Sequence, residues 1–440
     1  MLAPAFDVLR ELGHALVELL LAPLRHLWGL ATRDRRLADF ATLEASPLVD
    51  LAMRPEELPP LRDLVLSVGD ASGEEHAREI LAALRPHHPE LAARGFGGRV
   101  LAADGMEVWT PLADLNVMGF RDVAAQLPLF VRAVARFSRE LRTRRPDAVL
   151  LVDYPGLNRH LMRIARRLGV PTVQFVAPQL WAWAPWRVRD FRRADRLLAI
   201  LPFEPDWYRR HGARADFIGH PLGDELPAGF APLPADGEPL RVAILPGSRR
   251  REVEQNLPLM LEAAAAVRRA RPDTVFVLPH LREERWPRIE ALLATHPELA
   301  VETRRGEFHQ ALLDCHGGLV VSGTASLEAA MLGLATVVVY ALPSRLAAWL
   351  ARHALAVPHI ASVNLIAGRR MVPEHLGRRL DPKAIAADLL AQLAPDAARA
   401  RRSEVKALRK ATMAPGCAAR SALALEQAVA DHRTLDSPDR

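Results

Sequence analysis

Short apolar runs alternate with stretches of helical periodicity between residues 61 and 400. Helical patterns, such as those at 127–141 and 161–168, lie between the apolar runs. Because strands that alternate with helices build parallel sheets covered on both faces, the pattern predicts an α/β fold. The runs that predict buried strands span residues 64–68, 148–152, 172–176, 197–200, 216–218, 242–245, 274–278, 318–321 and 336–340.

The alternation is interrupted over residues 222–240, where proline, glycine and acidic residues accumulate, and it restarts at Arg241. We therefore predict two doubly wound, Rossmann-like domains facing a cleft, at residues 61–225 and 240–400. Residues 401–433 are helical by pattern, with a break at Pro415 and Gly416. We expect these C-terminal helices to pack back across the domains.

Residues 1–60 form a candidate N-terminal helical extension followed by a proline-rich linker. None of its apolar runs is long enough to span a bilayer, and it lacks the basic start of a secretory signal. Two interpretations stay open: an amphipathic helix on a membrane surface, which Trp28 fits, or a helix packed on the protein's own core. The apolar residues at helical spacing are Phe6, Leu9, Leu12, Leu16, Leu19 and Leu20.

The 440 residues carry a formal net charge of +6, which comes mainly from scattered arginines. A basic surface favours nucleic acid, phosphorylated small molecules or an anionic membrane. Nucleic acid is the weakest of these, since the basic residues are dispersed and no recognition module is present. Cys315 and Cys417 are too few for a metal cluster or a disulfide framework, which favours a reducing cytoplasm. The histidines show no metal-ligand spacing, so neither a metal nor a cofactor is predicted.

The loop after residue 245 is a candidate anion site. An apolar run ends at Pro246 and Gly247, and Ser248 and Arg249 then open a helical pattern. Unpaired backbone N–H groups at a helix start, with a cation beside them, suit a diphosphate. The alternative is a turn without a ligand, since such turns are common in α/β proteins.

A second loop of the same kind follows residues 318–321. Glu328 lies one turn into the helical pattern that follows, where it is placed either to accept ribose hydroxyls or only to favour the helix dipole. Two such loops in one domain predict a nucleotide diphosphate held by backbone and Arg249 without a metal, and the P-loop motif is absent from the sequence. The candidate donors in this second loop are Ser322, Gly323, Thr324 and Ala325.

Four residues after the first predicted strand form a candidate acceptor site: Gly69, Asp70, Ser72 and Gly73. The glycines allow a ligand to approach the backbone at the C-terminal end of a strand, where open α/β sheets bind their ligands. The structural alternative is that Ser72 and Glu75 form a capping box for a helix ending near residue 84. The glycine spacing does not match the Rossmann dinucleotide fingerprint.

Asp153, Trp181, Trp183 and His220 are further candidates in the first domain. Asp153 directly follows a predicted strand, where it is placed to act as general base for a sugar hydroxyl or to cap the next helix. The tryptophans predict an apolar wall for an acyl chain or a sugar, with core packing as the alternative. His220 lies at the hinge between the domains, where it either reaches the cleft or is structural.

Taken together, these motifs resemble the lipid-A-disaccharide synthase family from about residue 64 to the C-terminal helices. The resemblance implies a GT-B fold, in which the C-terminal domain holds a UDP-sugar donor and the N-terminal domain an acylated acceptor. The matching segments are 69–74, Val117-Met118-Gly119, Asp153 with Pro155 and Asn158, 178–183, 201–204, 217–220, 245–249 with Glu252-Val253, 322–325 with Leu327-Glu328, and 364–369.

The resemblance also implies an activity and a location. The family's reaction is an inverting hexosyl transfer that joins UDP-2,3-diacylglucosamine to 2,3-diacylglucosamine 1-phosphate and releases UDP. It takes place at the cytoplasmic face of the inner membrane, so peripheral association with a membrane surface is expected. Because the family is known for intertwined dimers, a homodimer is expected as well.

The resemblance assigns roles to individual residues. Asp153 would deprotonate the acceptor 6-hydroxyl, and Arg249 with the loop at Thr324 would stabilise the departing diphosphate. Glu328 would hold the ribose. The residues expected to line the same cleft are Asn364 and Arg369.

The chain departs from the family pattern close to the predicted acceptor site. The family's Glu-Thr-Ser-Gly-Asp is replaced by Asp70-Ala71-Ser72-Gly73-Glu74, and Ala-Pro-Asp-Phe-Asn by Tyr154-Pro155-Gly156-Leu157-Asn158. Val363 stands where a proline is usual. These changes leave the predicted fold and donor site as they are and bear on acyl-chain length and acceptor identity.

Two alternative functions stay open. Another UDP-sugar enzyme of this fold, such as a lipid-linked N-acetylglucosaminyltransferase or a UDP-sugar 2-epimerase, has no reason to keep Trp181, Trp183 and residues 364–369. A catalytically silent relative that only binds nucleotide sugar or lipid would be free to lose Asp153.

Overall fold

The computed structural model describes residues 2–53, 58–115, 127–235, 237–280 and 282–436. The chain divides into two compact units: unit 1 is Met1–Pro221 with Ala414–Arg440, and unit 2 is Leu222–Met413. The Val117-Met118-Gly119 motif lies outside the described residues.

Unit 1 contains a seven-stranded parallel sheet. Its strands are β1 (Asp63–Val68), β2 (Ala92–Phe96), β3 (Glu107–Thr110), β4 (Ala148–Val152), β5 (Thr172–Phe175), β6 (Arg196–Ala199) and β7 (Ala215–Phe217). The strand order is β3-β2-β1-β4-β5-β6-β7. Successive strands are therefore added toward one edge up to β3 and toward the other edge from β4 on, which makes the position between β1 and β4 the topological switch point. Both of these strands are buried along their whole length, as central strands of a parallel sheet covered on both faces are.

Unit 2 repeats this design with a six-stranded parallel sheet. Its strands are β8 (Arg241–Leu245), β9 (Val275–His280), β10 (Val301–Arg305), β11 (Gly317–Val321), β12 (Ala335–Ala341) and β13 (Glu374–Gly377). The order β10-β9-β8-β11-β12-β13 places the topological switch point of this sheet between β8 and β11. The α/β prediction of two doubly wound sheets is confirmed.

Helices connect the strands and cover the sheets. In unit 1 they are α1 (Leu2–Ala31), α2 (Arg33–Ala41), α3 (Ala71–Leu84), α4 (Arg99–Ala103), α5 (Leu127–Thr143), α6 (Pro155–Arg167), α7 (Leu180–Trp183), α8 (Val188–Phe191) and α9 (Glu204–Arg210). In unit 2 they are α10 (Leu222–Glu225), α11 (Arg250–Ala270), α12 (Trp286–Leu293), α13 (Phe308–Leu313), α14 (Thr324–Met331), α15 (Arg345–Ala354), α16 (Ser362–Ala367), α17 (Pro382–Leu393) and α18 (Pro395–Thr412), and α19 (Cys417–Asp436) returns to unit 1. Short 3-10 turns lie at Leu51–Met53, Leu112–Leu115, Pro185–Arg187 and Glu283–Arg285.

The C-terminal helix α19 completes the core of unit 1. Its apolar side chains, among them Leu425 and Val429, pack with those of β1 and α3. The Arg420 Nε donates to the Ile218 carbonyl at 2.6 Å, which holds the start of the helix against the end of β7. The helix begins directly after Pro415 and Gly416, where the sequence predicts a break.

The N-terminal helix α1 packs on unit 1 through its charged side chains. Asp7 and Glu11 are almost fully buried, while most of the leucines of the helix are exposed. This is the reverse of the usual amphipathic arrangement, in which the apolar stripe faces the core. Within the described part of the chain, no helix has the combined length and apolar character needed to cross a bilayer.

Candidate active site

The two loops predicted to bind an anion lie side by side at the switch point of the unit 2 sheet. β8 and β11 are hydrogen-bonded neighbours, with Leu245 opposite Val320. The loops that follow these strands therefore leave the same edge of the sheet. The carboxyl ends of strands at a switch point are where open α/β sheets bind their ligands.

The first loop depends on a glycine at position 247. Gly247 has a φ of +102°, and a Cβ built there would lie 2.6 Å from Glu252 Oε2 and 2.7 Å from Glu252 Cβ. The Glu252 carboxylate accepts from the Arg249 backbone N–H at 3.2 Å and pairs with the Arg249 guanidinium at 2.6 Å. The His280 Nε2 donates to the Gly247 carbonyl at 3.1 Å. The loop is thus braced from both sides, and Arg249 is held at the start of α11.

Replacing Gly247 with alanine is expected to weaken nucleotide binding about tenfold and to lower the stability of unit 2 by ~1–3 kcal/mol. The added methyl group forces Glu252 aside and also carries the cost of a left-handed backbone. Calorimetric titration with UDP and urea unfolding measure the two effects. Gly237→Ala is the matched control, because Gly237 has a φ of +81° but nothing within 4 Å of its Cβ position. Equal losses of UDP affinity in both variants would contradict a specific role of the Gly247 loop.

The second loop opens α14. The first N–H groups of a helix have no intrahelical acceptor, so those of Thr324 and Ala325 point toward any ligand at this end. The Ser326 hydroxyl donates to the Gly323 carbonyl at 2.7 Å, and the Ser322 hydroxyl donates to the Ile360 carbonyl at 3.0 Å. These serines therefore fix the loop, which leaves its backbone N–H groups available to a ligand.

The two loops line one groove of about 780 Å³. Gly247, Ser248 and Arg249 line it from the first loop. The second loop supplies Ser322, Gly323, Thr324, Ala325 and Glu328. The groove brings together two helix N-termini and the Arg249 guanidinium, an arrangement that suits a diphosphate. The volume is that of a typical small-molecule site.

Sequence reasoning missed several residues that line this groove. His309 is the most informative, since its Nε2 lies 2.7 Å from Glu328 Oε2. The bond to Glu328 and the charge of that carboxylate raise the pKa of His309. The histidine orients one carboxylate oxygen of Glu328. The other missed residues include His280, Arg282, Phe308 and Gln310.

Asn364 and Arg369, predicted to line the cleft, are not among the residues that line this groove. Asn364 is fully buried, and its Nδ2 donates to the Val372 carbonyl at 2.8 Å and to Glu374 Oε1 at 2.7 Å. Its Oδ1 accepts from the backbone N–H groups of Met371 and Val372. Arg369 forms an ion pair with Glu404 at 2.8 Å. Asn364 thus organises the segment that follows α16.

The switch point of unit 1 places Asp153 beside the loop at Asp70. β1 and β4 are neighbours with Val68 opposite Val152, so both loops leave adjacent strand ends. Asp153 and Tyr154 have φ values of 45° and 41°, an uncommon conformation for two successive residues with side chains. The Asp153 carbonyl accepts from Asn158 Nδ2 at 2.7 Å and from Gln174 Nε2 at 3.0 Å. This network holds the residue in place at the strand end.

The electrostatic surroundings of Asp153 favour its protonated form. The side chain reaches solvent but lies among protein atoms, and this desolvation together with the nearby Asp70 carboxylate raises the pKa of Asp153. A carboxylate with a raised pKa is a stronger base than an ordinary aspartate. Gly69 lies under the Tyr154 ring, and a Cβ at position 69 would overlap that ring.

The helix after β1 is capped by Asp70, not by Ser72. The Asp70 side chain accepts from the Gly73 backbone N–H at 2.7 Å, and α3 begins at Ala71. The predicted capping box of Ser72 and Glu75 is therefore wrong, because both residues lie inside the helix. Ser72 is exposed on its first turn, and Gly73 is buried.

The two tryptophans have different environments. Trp181 is 3% exposed, its ring packs against Phe40 and Phe203, and its Nε1 donates to Glu204 Oε1 at 3.1 Å. It therefore belongs to the core, as the structural alternative predicted. Trp183 is 44% exposed, with the Arg187 guanidinium 5.1 Å from its ring centre. Trp183 is the tryptophan available to a ligand.

His220 follows the end of the unit 1 sheet and is partly buried. Burial and the nearby His76 imidazole lower the pKa of His220 to about 4. The histidine is therefore neutral at pH 7. Among the described residues, no cluster of three or more histidine, cysteine, aspartate or glutamate side chains is arranged to hold a metal ion.

The lowered pKa of His220 predicts a specific acid sensitivity. The unfolded chain binds a proton at this histidine near pH 6.5, whereas the folded chain does so only near pH 4, so stability falls as the pH drops through this window. We expect His220→Asn to remove ~2 kcal/mol of the stability difference between pH 7 and pH 4.5. Urea unfolding at both pH values measures it, with the exposed His87→Asn as control. If the stabilities of the parent and of His220→Asn changed equally between the two pH values, the pKa of His220 would not be lowered as the structure indicates.

A family model described as lipid-A-disaccharide synthetase matches residues 64–428. The chain is 36% identical over 375 residues to the lipid-A-disaccharide synthase of Syntrophus aciditrophicus strain SB, which covers 82% of this chain and 96% of the relative. It is 38% identical over 359 residues to that of Anaeromyxobacter dehalogenans strain 2CP-C, covering 80% and 93%. The chain belongs to the lipid-A-disaccharide synthase family.

The fold of this member of the lipid-A-disaccharide synthase family is shared with solved glycosyltransferases. The crystal structure of the glycosyltransferase of kitacinnamycin aligns with a TM-score of 0.55 at 18% identity, over 85% of this chain and 100% of that one. At this identity the likeness shows the fold alone, which is the GT-B fold predicted from the sequence. The helices α1 and α2 precede the part of the chain that the lipid-A-disaccharide synthetase model matches.

Proposed function

We propose that this chain, a hexosyltransferase of lipid A biosynthesis, transfers the sugar of UDP-2,3-diacylglucosamine to 2,3-diacylglucosamine 1-phosphate. The products are the lipid A disaccharide 1-phosphate and UDP. The observation that carries this proposal is the groove at the unit 2 switch point, where two helix N-termini and Arg249 converge. Family membership, which rests on most of the chain, selects the sugar substrates.

The donor assignment follows from the chemistry of the groove. The N–H groups of Thr324 and Ala325 and the guanidinium of Arg249 would stabilise negative charge on the diphosphate as it leaves. Glu328, oriented by His309, would accept the ribose hydroxyls. Backbone donors and the Arg249 guanidinium would supply this stabilisation without a metal.

The acceptor assignment places the general base at Asp153. Inversion at the sugar requires the acceptor hydroxyl to attack directly while it loses its proton, so a single base is sufficient. The raised pKa of Asp153 and its fixed backbone support this role. The neighbouring Asp70, Ser72 and Gly73 would contact the acceptor, with exposed Trp183 beside an acyl chain.

Both substrates carry acyl chains, so we also propose peripheral association with the cytoplasmic face of the inner membrane. The net charge of +6 favours an anionic lipid surface. A homodimer belongs to the proposal as well, on the strength of the family alone.

The test is an incubation with UDP-2,3-diacylglucosamine and 2,3-diacylglucosamine 1-phosphate, in detergent and with EDTA present. We expect the disaccharide monophosphate and an equal amount of UDP by mass spectrometry. A second incubation, with UDP-N-acetylglucosamine and no acceptor, is expected to return the sugar unchanged. Formation of the 2-epimer there, or donor binding without any disaccharide, would refute the proposal in favour of an epimerase or a silent relative.

A further inference from the structure

The charged side of α1 is held against unit 1 at three successive levels. At the first level, Asp7 accepts from the Ser138 hydroxyl at 2.6 Å and pairs with Arg142 at 2.9 Å and Arg167 at 2.8 Å. These bonds bury a carboxylate that is only 2% exposed. The first level thus fixes the N-terminal end of the helix on α5 and α6.

The second and third levels lie further along the helix. Glu11 pairs with Arg163 at 2.7 Å and with Arg167 at 2.9 Å. Glu18 pairs with Arg159 and, at 3.3 Å, with Arg189. Ion pairs at three levels fix the rotation of the helix about its axis, so the opposite side must point away from unit 1.

That opposite side is an apolar face, which we name the leucine face. It follows the helix for about 33 Å from Phe6 to Trp28, at 1.5 Å per residue. Exposure of this much contiguous apolar surface marks an interaction site in a soluble protein. The residues of the leucine face, all at least 37% exposed, are Phe6, Leu9, Leu16, Val17, Leu19, Leu20, Leu21, Leu24, Leu27 and Trp28.

The charges around the leucine face select its partner. The three acidic residues of α1 are the ones turned toward unit 1 and paired with arginine. Arg10 is the charged residue of α1 that remains exposed to solvent. His14 and His26, on the same helix, are exposed as well. An apolar face with basic and neutral polar residues but no outward carboxylate is complementary to an anionic lipid surface.

We propose that the leucine face docks this protein on an anionic bilayer, with α1 lying in the plane of the lipid headgroups. The inference rests on the proposed function in so far as acylated substrates reside in a bilayer, and it assigns the contact to a helix that precedes the family region, 64–428. A single convex helix gives a protein partner little shape to match, whereas lipid chains conform to it. Trp28 lies at one end of the face, as aromatic residues do at membrane interfaces.

The test is co-sedimentation of the full-length protein with vesicles, compared with the triple variant Leu9→Gln, Leu16→Gln, Leu20→Gln. Vesicles of phosphatidylcholine with 30% phosphatidylglycerol are compared with vesicles of phosphatidylcholine alone. We expect the variant to bind the anionic vesicles at least about tenfold more weakly, since each removed leucine contributes its buried apolar area. The parent is expected to prefer the anionic vesicles.

The matched control removes three exposed leucines that lie elsewhere: Leu51→Gln, Leu127→Gln and Leu346→Gln. This variant should bind vesicles as the parent does. Circular dichroism and urea unfolding check the folding of both triple variants. We expect both to be folded, because every replaced side chain is exposed.

Three outcomes would overturn the inference. One is equal loss in both triple variants, and another is equal binding of the parent to both kinds of vesicle. The third is a dimer in the absence of lipid that the variant in α1 converts to a monomer, which would show that a second copy covers the leucine face. Transfer in detergent is assayed in parallel: a normal rate with no vesicle binding refutes this inference alone, whereas the absence of transfer refutes the proposed function.

Discussion

Asp153→Asn is expected to slow glycosyl transfer by ~10²–10⁴-fold while leaving UDP binding and stability unchanged. Asparagine has the same shape, but it cannot take the proton of the acceptor hydroxyl. The backbone network through Asn158 and Gln174 contacts the Asp153 carbonyl and is therefore preserved. Single-turnover rates and UDP titration calorimetry measure the two quantities. A rate within a few-fold of the parent would exclude Asp153 as the base.

The pH dependence of transfer provides a sharper form of this prediction. The rate should fall as the pH drops through the pKa of Asp153, which desolvation by the surrounding protein atoms and the Asp70 carboxylate raise above its ordinary value. Asp70→Asn removes that charge and retains the helix cap, because asparagine caps as well as aspartate does. The acid limb of the profile should therefore move to lower pH in this variant. If the acid limb of the pH–rate profile stayed at the same pH in Asp70→Asn, a group other than Asp153 would control it.

Glu11→Ala is expected to release α1 from unit 1, with a loss of ~3 kcal/mol of stability. Burial alone would raise the pKa of Glu11, yet its bonds to His160, Arg163 and Arg167 hold that pKa at about 2. Removing the carboxylate leaves Arg163 buried with a weakened set of partners. Hydrogen exchange of residues 2–31 and urea unfolding measure the release.

The same carboxylate predicts a pH dependence with a definite sign. Since the folded-state pKa lies below the unfolded value of 4.5, its stabilising contribution is present above pH 4.5 and is lost as the pH falls toward 2. The control is Glu254→Ala, which removes a partly exposed surface partner of Arg250 and should leave stability nearly unchanged. Retained protection of α1 in Glu11→Ala would mean that the other ion pairs are sufficient.

The central strands could be predicted from the sequence, because most fully buried parallel strands are continuous apolar runs. The two candidate anion-binding loops could be predicted because each directly follows such a run. Residues 148–152, predicted as a strand, form β4 with the same bounds. Four strands were missed, β2, β3, β10 and β13, and three of them, β3, β10 and β13, lie at sheet edges. β10 contains Glu302, Arg304 and Arg305 and is largely exposed, so no apolar run marks it. An edge strand has one neighbour and tolerates such residues.

Side-chain partners that only the fold brings together could not be found from the sequence. His309 contacts Glu328 only because β11 returns the chain between them to the same sheet edge. The Asn364 side chain looked like a ligand contact, yet its partners are backbone groups of the segment that follows it and the Glu374 carboxylate. Local spacing carries no sign of either arrangement.

The orientation of α1 shows the same limit. Helical spacing predicted the helix but did not decide whether its leucines face a membrane or the protein core. A stripe of leucines normally faces the core. The arginines that reverse this orientation, such as Arg163 and Arg167, are more than 150 residues away in the chain. Only the folded unit 1 brings them to Glu11.

The most direct test of the proposed function is the configuration of the glycosidic bond formed in a single turnover. The purified protein is mixed in excess with UDP-2,3-diacylglucosamine and 2,3-diacylglucosamine 1-phosphate, and the product is examined by nuclear magnetic resonance. Direct attack aided by Asp153 predicts a disaccharide linked at the acceptor 6-hydroxyl, with the anomeric configuration inverted relative to the donor. Retention of configuration, or the absence of a disaccharide, would contradict it.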